Sequence, residues 1–283
     1  MTAAAPASAL ARLGPDDVRG AAALVRDGRV WDLALDLDAA QLPPLDPRYG
    51  QPVQRLDLVT PEAYQAAFSS GEDGFHLDAV GGSIHQGTHI DGLMHIVHRG
   101  RVFGGAAESE VRGPDGWREH GAETIAPIVG RGVLIDIVAA RGAPLSGSEA
   151  IGPAELEAAA ADQSVELRTG DVVLVRTGKT AQLRRDRAHF LDRWPGVDVD
   201  AASWLADRGM VALGSDTGSE PQPVTDWDRT VHVELLLRRG IHLLEWLDLE
   251  GLAGSGRREF LFVAAPLKIR GATGSWLRPV AIT

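Results

Sequence analysis

Short runs rich in Val, Leu and Ile recur along the chain, each bounded by Gly, Pro or Asp. Runs of this kind read as buried or half-buried strands. They predict strands over 30–37, 55–60, 75–80, 132–138, 171–177, 210–213, 241–244, 259–269 and 280–283. Between them, apolar residues at helical spacing predict helices over 61–68, 153–161, 179–193, 201–207 and 229–239. Pro153 suits a first helical turn, Gly209 sits just past a helix end, and Gly240 is a stop signal before the strand that follows. The order of strands and helices is irregular and does not repeat as βαβ units. No GxGxxG follows a strand, which argues against a Rossmann nucleotide fold, and no GxSxG or P-loop is present. The expectation is a mixed α/β fold in one domain over 26–283. A lead-in over 1–25, partly disordered or helical, precedes it.

One segment departs from this pattern of apolar runs. His85-Gln86-Gly87-Thr88-His89-Ile90-Asp91-Gly92-Leu93-Met94-His95 places three of the nine histidines and one aspartate within eleven residues. Imidazole and carboxylate together suit a borderline divalent ion such as zinc, manganese or iron. In an extended segment His85, His89, Asp91 and His95 share one parity and one face. His89 and Asp91 would then be about 7 Å apart at Cα, while His85 would be about 13 Å from His89, too far unless the chain bends. Gly87 permits that bend. A helix would also pair His85 with His89, but Gly87, Thr88, Ile90 and Gly92 disfavour one, so the segment reads as a strand or bent loop. It is not the H-E-x-x-H helix, because Gln86 stands where the glutamate would be.

The pattern H-x-G-T-H-x-D-x-x-x-H resembles the signature of the cyclase-like metal-dependent hydrolases, which include bacterial kynurenine formamidases (arylformamidases) and isatin hydrolases. The resemblance implies that His85, His89 and Asp91 bind a metal. It also implies that Asp91 bridges to a second ion and that His95 serves in catalysis. The family usually has proline two residues before the last histidine; here that residue is Leu93. A second segment, His232 to Glu245, resembles the family's H-x-x-L-L-x-x-G-I-x-I-x-E stretch, in which the histidine and final glutamate complete the second site. Its spacing is one residue longer than in the short formamidases. Gly240 keeps its distance from Glu245, so the extra residue falls in the helix or its exit. On spacing alone Glu234 and His242 are rival ligands; only His232 and Glu245 match the pattern.

Weaker matches extend over Gly170–Gly178, Trp194–Gly209, Gly214–Ser219 and Pro266–Pro279, so the resemblance runs from about Trp31 to the end. It implies a swivelling β/β/α domain, a mixed sheet with helices around it. It implies hydrolysis of an amide or cyclic amide through metal-activated water, with one or two zinc or manganese ions and His95 passing a proton to the leaving group. His98 is the next candidate for that role. The alternatives are a lactone hydrolase or ring-forming or ring-opening cyclase on the same site and, from a different class, a metal-binding protein without turnover. Asp216, in a Gly/Ser loop, reads either as part of the site or as a turn residue.

Composition narrows the partners. Net charge is −11, from 28 basic and 39 acidic residues, and this disfavours nucleic-acid binding. The run Arg184-Arg185-Asp186-Arg187 reads as a solvated helix face. No apolar run reaches the length of a membrane span, and no basic region precedes the apolar start. There is no cysteine, hence no disulfide and no thiolate ligand. A cytoplasmic homodimer or homotetramer acting on a small molecule is expected. The seven tryptophans are either core and interface residues or a stacking wall for an aromatic substrate.

Overall fold

The computed structural model describes residues 6–38, 42, 53–59, 77–183 and 192–283. Nine strands of these residues form one mixed sheet: β1 (Val30–Asp32), β2 (His89–Asp91), β3 (Ile128–Asp136), β4 (Val172–Arg176), β5 (Ala212–Ser215), β6 (His242–Glu245), β7 (Glu259–Ala264), β8 (Gly274–Trp276) and β9 (Val280–Ile282). Their spatial order is β1-β9-β7-β3-β4-β5-β6-β2-β8. The central four, β3 to β6, run parallel; the strands on either side pair antiparallel. Parallel strands are covered on both faces, and here Val133, Leu134, Ile135 and Val172 to Val175 are all buried. Their sequence is therefore a continuous apolar run without alternation. Among the described residues, three helices longer than two turns border the sheet: α1 (Pro15–Ala22), α2 (Pro153–Asp162) and α3 (Val199–Asp207). α1 packs on β3 and β7, and α2 packs on β3 and α3. The mixed α/β class expected from the pattern is the observed one.

Several element boundaries differ from the pattern, each for a local reason. The run 30–37 leaves the ladder after Asp32, whose Oδ1 accepts from Ala34 N at 3.2 Å; Leu35 N then donates to Thr88 Oγ1 at 2.8 Å. The run 132–138 stops at Asp136, whose side chain accepts from Ala139 N and caps a short helix, Ile137–Arg141. The run 259–269 ends at Ala264, ahead of Pro266, which has no N–H to give a ladder. Within the expected lead-in, α1 starts at a proline and carries Asp16 and Asp17 in its first turn, a good helix start. The predicted helix 61–68 and the basic run 184–187 lie outside the described residues. So does most of the predicted helix 179–193, of which Lys179–Leu183 is helical. The predicted helix 229–239 is a π-helix over Val233–Arg239, ended by Gly240 in the left-handed region. A π-helix holds more residues per turn than an α-helix.

Candidate metal centre

β2 builds the first part of the site. Alternation along a strand puts His89 and Asp91 on one face and Ile90, fully buried, on the other. β6 lies antiparallel beside it, with Glu245 directly across from His89 and Leu244 across from Ile90. Residues directly opposite share a face, so Glu245 joins His89 and Asp91. Glu245 is also the last residue of a parallel strand, at the carboxyl end where open α/β sheets place their sites. On the other side of β2, Gly274 lies across from Asp91. A Cβ there would sit 2.5 Å from Ile90 O and 3.1 Å from His85 Cε1, so glycine leaves the room that the His85 ring uses.

His85 arrives through a turn. Gly87 has φ +72°, a conformation other residues rarely adopt, and the bend brings His85 Nδ1 to 2.8 Å from Asp91 Oδ1. His89 Nδ1 donates to Gly87 O at 2.8 Å, which leaves Nε2 facing Asp91 Oδ1 at 3.3 Å and Glu245 Oε2 at 3.7 Å. His232 comes from the start of the π-helix, where Thr230 Oγ1 accepts from Val233 N at 3.1 Å. Its Nε2 is 3.5 Å from Asp91 Oδ2 and 3.3 Å from Glu245 Oε1. One oxygen of Asp91 thus faces His85 and His89, and the other faces His232. The His95 ring stacks on His85 with centroids 4.0 Å apart and planes at 26°.

These residues fit a divalent cation. Donors held about 2.0–2.2 Å from one ion lie about 3–3.5 Å from one another in octahedral or tetrahedral arrangements. The separations here, 2.8 to 3.7 Å, are of that size. Two triads, His85/Asp91/His95 and His89/Asp91/Glu245, keep their donor atoms within 4.8 Å of one another. Among the described residues, Asp91 Oδ2 and Glu245 Oε1 are buried without a hydrogen-bond partner. An unpaired buried carboxylate oxygen is costly, and a cation between these groups removes that cost.

Electrostatics within the cluster follow from burial opposed by charge. Burial would raise the Asp91 carboxyl, but the nearby imidazoles of His95, His232, His85 and His89 outweigh it and hold the group well below its ordinary range. Burial would lower His232, but Glu220, Asp91 and Glu245 reverse this and hold the imidazole well above its usual value. His89 is raised in the same way, against burial, by Asp91 and Glu245. His95 has no such surplus of carboxylates: burial, joined by the neighbouring histidines, pushes it down to about 3.

The other sequence candidates stand elsewhere. Glu234 is committed to Arg238 and Arg239 at 3.0 and 2.7 Å. His242 alternates onto the opposite face of β6 from Glu245 and donates from Nδ1 to the backbone oxygen of Asp91 at 2.8 Å. His98 pairs with Asp228 at 2.8 Å. Asp216 is fully buried and accepts from Thr177 N, Thr177 Oγ1, Gly178 N and Lys179 N at 2.7–3.0 Å, tying the end of β4 to the loop after β5. Trp276 lies across β2 from His89, and Trp246 follows Glu245 and meets Trp194 edge-on at 5.2 Å. Two residues escaped the sequence reading. Thr273 Oγ1 pairs with His85 Nε2 at 2.9 Å, and Glu220 holds His232. Thr273 lies inside a segment already matched to the family, and Glu220 directly follows another; adjacency was the one available signal.

Fold and donor set together define a mixed α/β domain with a His/Asp/Glu cluster at the carboxyl end of its parallel strands. The family model described as "Putative cyclase" matches residues 31–220, more than half of the 283 residues. The chain belongs to this cyclase family. A crystal structure described as that of a novel cyclase superposes with a TM-score of 0.84 at 28% identity, over 98% of this chain and 95% of that one. Isatin hydrolase A from Ralstonia solanacearum superposes with a TM-score of 0.67 at 22% identity, over 99% of both chains. A protein described as a predicted metal-dependent hydrolase from Bacillus stearothermophilus gives 0.58 at 20% identity, over 90% of this chain and 98% of its own. The last two likenesses, at that identity, establish a shared fold. No curated protein matches the chain by sequence.

Proposed function

We propose that the chain is a metal-dependent hydrolase that cleaves an amide or cyclic amide in a small molecule, like an arylformamidase or an isatin hydrolase. The observation that carries this reading is the convergence of His85, His89, Asp91, His232 and Glu245, with two buried carboxylate oxygens left without hydrogen-bond partners. His85, His89 and Asp91 would hold one zinc or manganese ion, and Asp91, His232 and Glu245 a second. Such an ion supplies water ionised near neutral pH and polarises a scissile carbonyl. The chain's own groups do the rest. Gly87 O fixes the His89 tautomer, so that Nε2 is the free donor. His95, neutral at physiological pH, lies against His85 and can take a proton from water and return it to the departing nitrogen. Trp276, across the strand from His89, gives this face an aromatic flank suited to an aryl substrate.

The test uses full-length protein stripped by chelator and reloaded with Zn²⁺ or Mn²⁺, against a panel of N-formyl-arylamines, isatins and lactones. Hydrolysis of an amide or isatin that disappears on stripping and returns on reloading is the expected result. Turnover confined to lactones would move the reaction to the C–O bond. Metal uptake without turnover would reduce the chain to a metal-binding protein, and failure to take up metal would overturn the reading.

A further inference from the structure

We infer that Glu220 is a positioning residue for the second half of the centre, orienting His232 and strengthening its hold on a divalent ion shared with Asp91 and Glu245. The inference rests on the metal reading above and goes beyond it to a residue that is not itself a ligand. Both Glu220 oxygens are turned to His232: Oε2 accepts from the His232 backbone N–H at 3.1 Å, and Oε1 lies 3.1 Å from ring Nδ1, an ion-pair contact that is not aligned as a hydrogen bond. The opposite ring nitrogen, Nε2, faces Asp91 and Glu245. A carboxylate this close to the far nitrogen of a ligating histidine favours the proton on that nitrogen through its charge, and so leaves the near nitrogen as the donor.

The position of Glu220 is built rather than incidental. The residue is 5% exposed, so its charge needs a partner, and the polar contacts described for it are both on His232. Ser219, just before it, takes φ +65°, a conformation unusual for a residue with a side chain. The Ser219 carbonyl is held there by Val197 N at 3.0 Å, and Glu220 N donates to Gly218 O at 2.8 Å. The strained turn aims the carboxylate at His232.

Among the described residues, the first half of the centre has no counterpart. His89 Nδ1 pairs with a backbone carbonyl and His85 Nε2 with a threonine hydroxyl, both neutral. Glu220 therefore adds a third carboxylate to Asp91 and Glu245 around His232. Those three negative charges favour cation uptake on this side.

Full-length protein, stripped by chelator, is titrated with Zn²⁺ and with Mn²⁺ by calorimetry, and its thermal midpoint is followed in parallel. Wild type should take up two ions. Glu220→Gln keeps the size and an acceptor oxygen but removes the charge. It should bind the first ion unchanged and the second about 10–100-fold more weakly. Glu220→Asp keeps the charge on a shorter arm and should recover part of that loss; it carries the comparison if the Gln variant does not fold. A Glu220→Gln protein that binds both ions as wild type does, or that loses thermal stability alone, would overturn the positioning role and leave the hydrolase reading intact. Wild type that takes up no ion would sink both.

Discussion

His85, His89, Asp91 and His95 come from eleven consecutive residues, whereas His232 and Glu245 come from a helix start and a strand end more than a hundred residues further on. The first group is assembled by a single bend at Gly87 and by strand alternation through β2. The second depends on the register of β6 against β2, which sets Glu245 opposite His89, and on the π-helix that presents His232. A one-residue slip of β6 would turn Glu245 into the core and bring in a different side chain. The contiguous half is thus robust to tertiary error and the distant half is not. Asp91, with one oxygen towards each half, is the group that makes them one centre.

The largest effect should come from removing that shared group. Asp91→Asn should lose metal from both halves by elemental analysis and bring hydrolysis to background. A variant that kept one ion at wild-type affinity would show that the halves are independent. Next in size is His95→Ala, which should keep its metal and lose about 10²–10⁴ in rate on the best substrate, the usual worth of a general acid–base. Loss of metal in this variant would make His95 a ligand of the first half, and full activity would leave it a packing residue beside His85.

The smallest effect sharpens the comparison from outside the centre. Asp216 is held by four donors and touches neither half; burial pushes its carboxyl up to about 6. Asp216→Asn brings an amide N–H₂ against backbone donors and should cost about 1–3 kcal/mol at pH 7.5, with metal content unchanged. Because the folded pKa is raised, the wild-type contribution is fully present below the unfolded value of about 3.9 and is lost as pH rises through about 6. The gap in thermal stability between wild type and variant should therefore widen as pH falls from 7 to 4. A gap that narrowed instead would show that the four donors favour the ionised carboxylate over burial, and metal loss in the variant would tie Asp216 to the centre.

Much of the sheet was legible because parallel strands are buried on both faces. Their apolar runs, such as Val172 to Val175, stand out against polar surroundings. Helix starts with proline were legible for an equally local reason at Pro153; α1, with the same signal at Pro15, falls within the lead-in expected to be partly helical, but its low apolar content gave it no bounds. β8 escaped as well: Gly274-Ser275-Trp276 is three residues long and owes its place to pairing with β2. The contiguous candidate ligands were visible by spacing alone. His232 and Glu245 were visible only through resemblance, since spacing left Glu234 and His242 as rivals until strand alternation and the Glu234–arginine pairs separated them.

By itself, then, the sequence determined the chemistry on offer: imidazole and carboxylate at short spacing, a glycine able to bend between them, and apolar runs long enough for a covered sheet. These are properties of neighbours along the chain, and local sterics and solvation fix them. Only the tertiary structure decided which distant carboxylate would face His89, which face His242 would take, and that Glu220 would stand behind His232. Those outcomes depend on sheet register and on a strained turn held by a backbone pairing at Val197, interactions whose partners lie far apart in sequence. The same packing left Asp91 Oδ2 and Glu245 Oε1 side by side with His232, buried in an arrangement that a cation would satisfy.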